Sequence, residues 1–343
     1  MPLFRRARAD ARAGTARTGA SGSVVGPPTE PLMGDPDAQR FRAELGQGKW
    51  QEFHDFLDAT RDWDDRHFYV YTLSQIEGRP EWLDEWVAAR GRSSIPVLFR
   101  GAHGIHWAWQ VRGLGDAATV AQLSLRVFHS RLVDADRDLS QAAMLDPDDP
   151  TPHARGVHSA LGLALGKDEV RRRFDEATRR FRWHYFARMP MLQALTAKWY
   201  GSHAEMFEFA RSTSAQASEG LGVHVVVARA HLERWLSFPR EYSDGRERQA
   251  TYFHDEAVQQ EVRRAADLSV RSPRYQVHKA TAADRNLFAM CFWLMNDFPA
   301  QLEQMQHIGP LIQEIPWGFQ GDPGQAYERA RAAALREMPA AAR

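Results

Sequence analysis

The sequence predicts an all-α protein, an irregular α-solenoid of stacked antiparallel helix hairpins, and three observations carry that expectation. From Asp35 onward, amphipathic stretches of about 10 to 20 residues alternate with short breaks, and no run sustains the alternation of a strand. The breaks carry helix punctuation. Asp35-Pro36, Asp149-Pro150 and Asp322-Pro323 each set an N-capping carboxylate before a proline whose missing N–H costs nothing in the first turn. Weak internal echoes at helix-pair spacing supply the third observation, because units of that size bury their apolar faces only by stacking.

Taken along the chain, residues 1–34 carry Arg5, Arg6, Arg8, Arg12 and Arg17 among alanines and glycines and lack the apolar stretch of a secretory signal. They are expected to form a disordered basic tail. N-terminal hairpins are expected over residues 35–113, where Trp50 and Trp82 each open a short amphipathic helix. A seam at Gly113 to Asp116 leads into a helical-repeat domain over residues 114–340. Gly101-Ala102-His103-Gly104 and Gly113-Leu114-Gly115 read as separators between helices.

Within the repeat domain the clearest helix is Asp168 to Arg182, where Val170, Phe174, Ala177 and Phe181 share one face. Asp168 with Arg172, Glu169 with Arg173, Asp175 with Arg179 and Glu176 with Arg180 are acid-before-base pairs at i,i+4, the favourable order. Arg171-Arg172-Arg173 therefore reads as ion-paired surface rather than a nucleic-acid patch. Ser202-His203-Ala204-Glu205 has the form of a capping box. Val223 to Val227 is strand-like, but Ala228, Ala230, Leu232, Trp235 and Leu236 extend the apolar pattern past strand length and predict a buried helix. Gly201, Phe207, Ala210 and Arg211 recur at the same offsets as Gly321, Tyr327, Ala330 and Arg331, each set following a tryptophan, Trp199 or Trp317.

Two stretches carry a resemblance. Ala143-Met144-Leu145-Asp146-Pro147-Asp148-Asp149-Pro150 resembles the close of a tetratricopeptide repeat, and Gly156, Ala160 and Gly162 are similar to its small-residue face. Lys198-Trp199-Tyr200-Gly201-Ser202 through Phe209-Ala210-Arg211 resembles a motif of an uncharacterised bacterial family of tetratricopeptide-like domains, over roughly residues 115–340. The resemblance implies an α-solenoid and a binding role, since that family carries no established reaction.

Composition excludes several function classes. Lysine plus arginine equals aspartate plus glutamate at 44 each, so no global field draws the chain to nucleic acid or anionic lipid. The single cysteine, Cys291, rules out a disulfide framework and points to a reducing compartment, the cytoplasm. No apolar run approaches the roughly 20 residues of a membrane span. There is no phosphate-binding glycine loop and no Gly-x-Ser-x-Gly elbow, and Cys291 in its apolar run reads as an inert core thiol.

Fourteen histidines are the raw material for chemistry. His103 and His106 stand at i,i+3 without a nearby carboxylate in sequence. His153 with His158 and His224 with His231 miss the His-Glu-x-x-His pattern, and the neighbours in His254-Asp255-Glu256 do not face one another on a helix. No metal, cofactor or catalytic residue is expected. The leading expectation is a non-catalytic protein-interaction or scaffold module that holds a protein or peptide segment in a helical groove, with self-association left open. Groove candidates by helix position are Arg66, His67, Arg100, His103, His106, Lys198, Trp199 and Arg211. The alternative is a histidine-based enzyme, with a metal held between helices.

Overall fold

The computed structural model describes residues 26–112 and 122–337. The basic stretch before Gly26, the expected seam at Gly113 to Asp116 and the Gly113-Leu114-Gly115 separator lie outside them. Among the described residues every regular element is helical, with seventeen α-helices and three short 3₁₀ turns. The chain folds into two compact units, one of Asp35–Phe209 and one that combines residues 26–34 with the chain from Ala210 onward. The division falls inside α10 (His203–Gln216).

The first unit holds α1 (Pro36–Leu45), α2 (Gln51–Ala59), α3 (Trp63–Leu73), α4 (Trp82–Ala89), α5 (Ser94–Arg112), α6 (Gln122–Leu145), α7 (Thr151–Gly162), α8 (Lys167–Arg180) and α9 (Tyr185–Ala194). Its N-terminal half packs around aromatics. Phe41, Phe53, Trp86 and Phe99 are wholly buried, each contributing about 1.5–3 kcal/mol by leaving water. Trp50 stacks on Trp86 at 5.7 Å, and Trp86 Nε1 donates to His54 Nδ1 at 3.2 Å, so the one polar atom of the buried indole is satisfied.

Helix caps follow the sequence. Asp35 accepts from Ala38 N–H at 2.8 Å and Asp322 from Gln325 N–H at 3.0 Å at the head of α17 (Pro323–Glu337), whereas Asp149 stands one residue before Pro150, the N-cap of α7, and accepts from Thr151 N–H at 2.7 Å. Ser202 Oγ accepts from Glu205 N–H at 3.2 Å, opening α10 as its capping pattern predicts. On α8, Glu169 pairs with Arg173 and Glu176 with Arg180, but Arg172 and Arg179 turn back to those same glutamates at i−3 rather than to Asp168 and Asp175. Glutamate's extra methylene reaches both neighbours. Arg173 is not solvated surface: it also binds Asp136 of α6 and the Gly156 carbonyl of α7, so three helices meet on one guanidinium.

One expected break is absent. Gly101-Ala102-His103-Gly104 does not separate helices but lies inside α5, whose packing along α6 is the most extensive between any two helices of the unit. A Cβ on Gly104 would stand 2.9 Å from Ala135 Cβ, inside van der Waals contact, so glycine serves close approach here at the expense of helix propensity. Gly104→Val is expected to destabilise the protein by about 1–3 kcal/mol in denaturant unfolding, outweighing the gain in propensity. An unchanged midpoint would mean that α5 and α6 sit further apart.

The second unit is built on α11 (Val225–Glu241), which packs against α12 (Gly245–Thr251), α13 (Glu256–Asp267) and α14 (Thr281–Leu294). Val223 to Val227 runs from a 3₁₀ turn into α11 and is buried, as its extended apolar pattern predicts. α14 in turn packs on α15 (Phe298–Ile308), α16 (Glu314–Trp317) and α17. Trp317 is wholly buried, its Nε1 donating to Asn286 Oδ1 at 2.7 Å. Residues 26–34 are tied down, with Glu30 N–H donating to the Ile312 carbonyl at 2.7 Å.

Candidate functional site

Buried side-chain polar atoms without a hydrogen-bond partner fall mostly in the first unit, several of them on α3, α7 and α9. Nδ1 of His67 and Oγ1 of Thr72 on α3, Nε2 of His103 on α5, Nε of Arg155 on α7, and Nε2 of His184 with both amide atoms of Gln193 at and on α9 are of this kind. All belong to the first unit. In the second unit, among the described residues, Gln301 Oε1 is alone in this respect. Unsatisfied buried groups cost about 1–3 kcal/mol each, so a cluster of them marks a site kept for something other than stability.

The cluster forms where α3, α7 and α9 touch one another. α3 brings His67 and Tyr71, one helical turn apart, and α7 brings Arg155 and His158 by the same spacing device. α9 brings His184 as its N-cap, with Nδ1 3.3 Å from Ala187 N–H, and Phe186 in its first turn. The His67 ring lies 4.8 Å from Phe186 with an interplanar angle of 2°, and 5.0 Å from His184. The Arg155 guanidinium sits over the Tyr71 ring at 5.1 Å. Arg155 is 5% exposed, and among the described residues it has neither an ion pair nor a hydrogen bond.

The electrostatics are lopsided. Burial pushes the Arg155 pKa down to about 10, still far above neutrality, so it holds a full charge in the interior. Burial also pushes His158 and His184 down to about 3, helped by Arg155 and Arg188 respectively, and drives His67 well below its ordinary value, aided by His184, Arg155 and His158. His106, further along α5, falls to about 4 for the same reason, with His103 contributing. At neutral pH the charged Arg155 therefore stands among neutral imidazoles, each offering one N–H donor and one acceptor. Arg188 is the other buried guanidinium nearby and is also charged, with donors taken by the carbonyls of His184 and Arg182 at 2.6 and 2.7 Å and with Asp64 as the acid that acts on it.

The residues singled out from sequence fall into three groups. His67 is in this cluster, and His103 and His106 lie on α5. His103 Nδ1 donates to the Ser74 carbonyl at 3.0 Å, while His106 Nε2 meets Gln110 at 3.0 Å. Arg66 and Arg100 are locked in ion pairs: Arg66 binds the buried Asp149 at 3.2 Å, and Arg100 grips Asp138 through two nitrogens at 2.7 and 2.8 Å. Lys198 is exposed, and Trp199 is half-buried beside Tyr200. Arg211 belongs to the second unit and pairs with Glu261 at 2.9 Å. Sequence reasoning missed Arg155, His158 as its neighbour, and His184. The available signal was an arginine in Pro152-His153-Ala154-Arg155-Gly156-Val157-His158 with no acid one turn away on either side.

Two buried histidines of the second unit are hydrogen-bonded through both ring nitrogens. His224 is bonded to Ser214 and the Ser218 carbonyl, and His231 to Tyr252 and Glu261. Cys291 is buried, and burial raises its thiol pKa far out of the reactive range. A shallow depression of about 410 Å³ on the second unit is lined by Glu219, Gln260, Arg263, Arg264, Asp267 and Leu268, where Arg263 is already paired with Asp297. Among the described residues no three histidine, cysteine or carboxylate side chains are grouped to hold a metal ion, and no helix is long and apolar enough to cross a membrane. Set against known proteins, the chain matches no family model, no curated protein and no solved structure.

Proposed function

We propose that the protein is a non-catalytic helical binding module of the cytoplasm that takes a negatively charged group of its partner into the interior of the unit Asp35–Phe209. The observation that carries this is Arg155, a buried charge without a counter-charge among the described residues. Burying an ion costs several kcal/mol unless a partner compensates it, and the cation–π contact with Tyr71 returns about 1–2 kcal/mol at most. An anionic ligand supplies the missing compensation. The tetratricopeptide-like reading of the helix pairs belongs to this proposal, and a protein or peptide partner meets the site with an acidic side chain.

Arg155→Met is expected to stabilise the ligand-free protein by about 1–3 kcal/mol, because an unbranched apolar chain replaces an uncompensated charge. Native mass spectrometry of protein isolated from its host is expected to show a retained ligand on the wild type that the variant loses. A variant that is less stable and retains the same ligand would overturn the proposal. A second reading, a histidine-based enzyme, is favoured by Asp64 Oδ1 lying 3.3 Å from His184 Nδ1 beside His67. Turnover of the retained ligand that His184→Gln abolishes without altering retention would select it.

A further inference from the structure

Independently of the anion-binding reading of the first unit, we propose that Ser214 in the second unit is a covalent acylation site, its hydroxyl poised by His224 to accept one acyl group from a small activated ester.

The pair is built by the turn that follows α10. Ser214 stands in the last turn of α10, and His224 closes the 3₁₀ turn Gly222–His224 that leads into α11. His224 Nδ1 lies 2.8 Å from Ser214 Oγ, and its Nε2 lies 3.0 Å from the Ser218 carbonyl oxygen. A carbonyl oxygen only accepts, so Nε2 carries the proton and donates it to Ser218. The neutral ring then has its lone pair at Nδ1, where it accepts the Ser214 O–H. His224 is wholly buried, and burial lowers its pKa against the opposing pull of the Ser218 carbonyl, so the ring is neutral at pH 7 and available as a base. Nucleophile, base and orienting group thus stand within hydrogen-bond reach of one another. A helical serine commonly returns its O–H to the carbonyl one turn back, as Ser140 does to Asp136, but Ser214 turns to an imidazole instead.

Access and field set the class of donor. Ser214 is half-buried, and Ser212, Ala215, Gln216 and Ser218 around it are exposed, so a small molecule approaches the hydroxyl from solvent while the base stays dry. Of the charges nearby in the chain, Arg211 is paired with Glu261 at 2.9 Å and Glu219 with Arg274 at 3.4 Å. What remains is the negative pole at the C-terminal end of α10, which repels an anionic phosphoryl donor but not a neutral acyl carbon. The same pole opposes the oxyanion of acyl transfer, which suits the site to a single modification by an activated ester rather than to turnover. Ser214 Oγ bonds to the acyl carbon as its proton passes to His224 Nδ1. The bond from that carbon to the leaving oxygen breaks, and the imidazolium returns the proton to the departing alkoxide, with nothing oxidised or reduced.

The test is reaction of the full chain with p-nitrophenyl acetate at pH 7, read by intact mass and peptide mapping. One acetyl group is expected on Ser214, at least about tenfold faster than on any other serine, since a positioned base contributes about 10²–10⁴-fold. Ser214→Ala and His224→Gln are expected to lose it. Acetyl groups confined to lysines and the amino terminus, or placed on Ser214 at the same rate in folded His224→Gln, overturn the proposal. Where His224→Gln fails to fold, Ser214→Cys decides. Its thiol is expected to react with iodoacetamide at least about tenfold faster than that of Ser212→Cys, an exposed position on the same helix, because the imidazole draws its proton. Cys291 is buried and does not compete. Equal rates at the two positions overturn the proposal.

Discussion

Acid is expected to unfold the unit Asp35–Phe209 before it unfolds the rest of the chain, with stability falling as pH drops from about 6.5 towards 3. Seven histidines there, His54, His67, His103, His106, His153, His158 and His184, have pKa values lowered first by burial. A histidine in the unfolded chain titrates near 6.5, so below that pH the unfolded state binds protons that the folded state refuses. The stability that each neutral ring contributes is thus complete above about pH 6.5 and is lost as pH falls to the folded value. For His158 and His184, both buried and both pushed down to about 3, the loss at the acid end is on the order of 4 kcal/mol each. Carboxylates act in the same direction but lower. Glu169, held down to about 2 by Arg172 and Arg173, contributes stability that is complete above about pH 4.5 and lost as pH falls to about 2.

Hydrogen exchange at a series of pH values resolves the two units separately. Protection in α3, α7 and α9 is expected to decline between pH 6 and 4 while α14 and α15 stay protected. His158→Gln is expected to reduce the pH slope of stability by about one proton over that window. Stability that is level from pH 7 to pH 4 would show that these rings are solvated and that the cluster is not closed as described.

Loss of the Asp149 carboxylate is the second large effect, expected at about 3–5 kcal/mol for Asp149→Ala. Asp149 is wholly buried, caps α7 through Thr151 N–H, and pairs with Arg66, which also binds the carbonyls of Leu57 and Thr60 at 3.1 and 3.3 Å. Removing the acid strips the cap and strands the guanidinium with only carbonyls and the outer carboxylate of Asp146 at 3.6 Å. The charge imbalance is the larger share, since a cap alone contributes about 1 kcal/mol. Arg66→Met strands the opposite charge, and burial already raises the Asp149 pKa, so that variant is expected to lose less. In a double-mutant cycle the combined variant should be more stable than the sum of the two losses predicts. Additive losses would show that the pair does not act as a unit. A like test on the exposed Arg40 and Glu52 pair at 3.2 Å is expected to cost under about 0.5 kcal/mol, because solvent screens it.

The contrast between Arg66 and Arg155 shows where sequence reading stops. Both are arginines on amphipathic helices with histidine nearby, and both are 5% exposed. The acid that neutralises Arg66 lies at position 149, far along the chain, and no acid is brought to Arg155 at all among the described residues. Long-range charge pairing depends on which helices pack together, and a single sequence fixes only the pairs within about four residues. Even those are partly decided elsewhere: Arg173 keeps its predicted Glu169 but adds Asp136 once α6 and α8 meet.

By itself, the sequence determined the helical class, the caps at Asp35, Asp149, Asp322 and Ser202, the amphipathic face of α8 and the burial of Val223 to Val227, because caps and periodicity are local and act within one or two turns. Only the tertiary structure decided that Gly101 and Gly104 sit inside a helix, since a glycine ends a helix or admits a neighbour according to what packs against it. The site was likewise a tertiary decision. His67, Arg155, His158 and His184 come from three stretches of chain, and what distinguishes them is that burial withholds both water and counter-charge, a property of the packed interior that no spacing encodes.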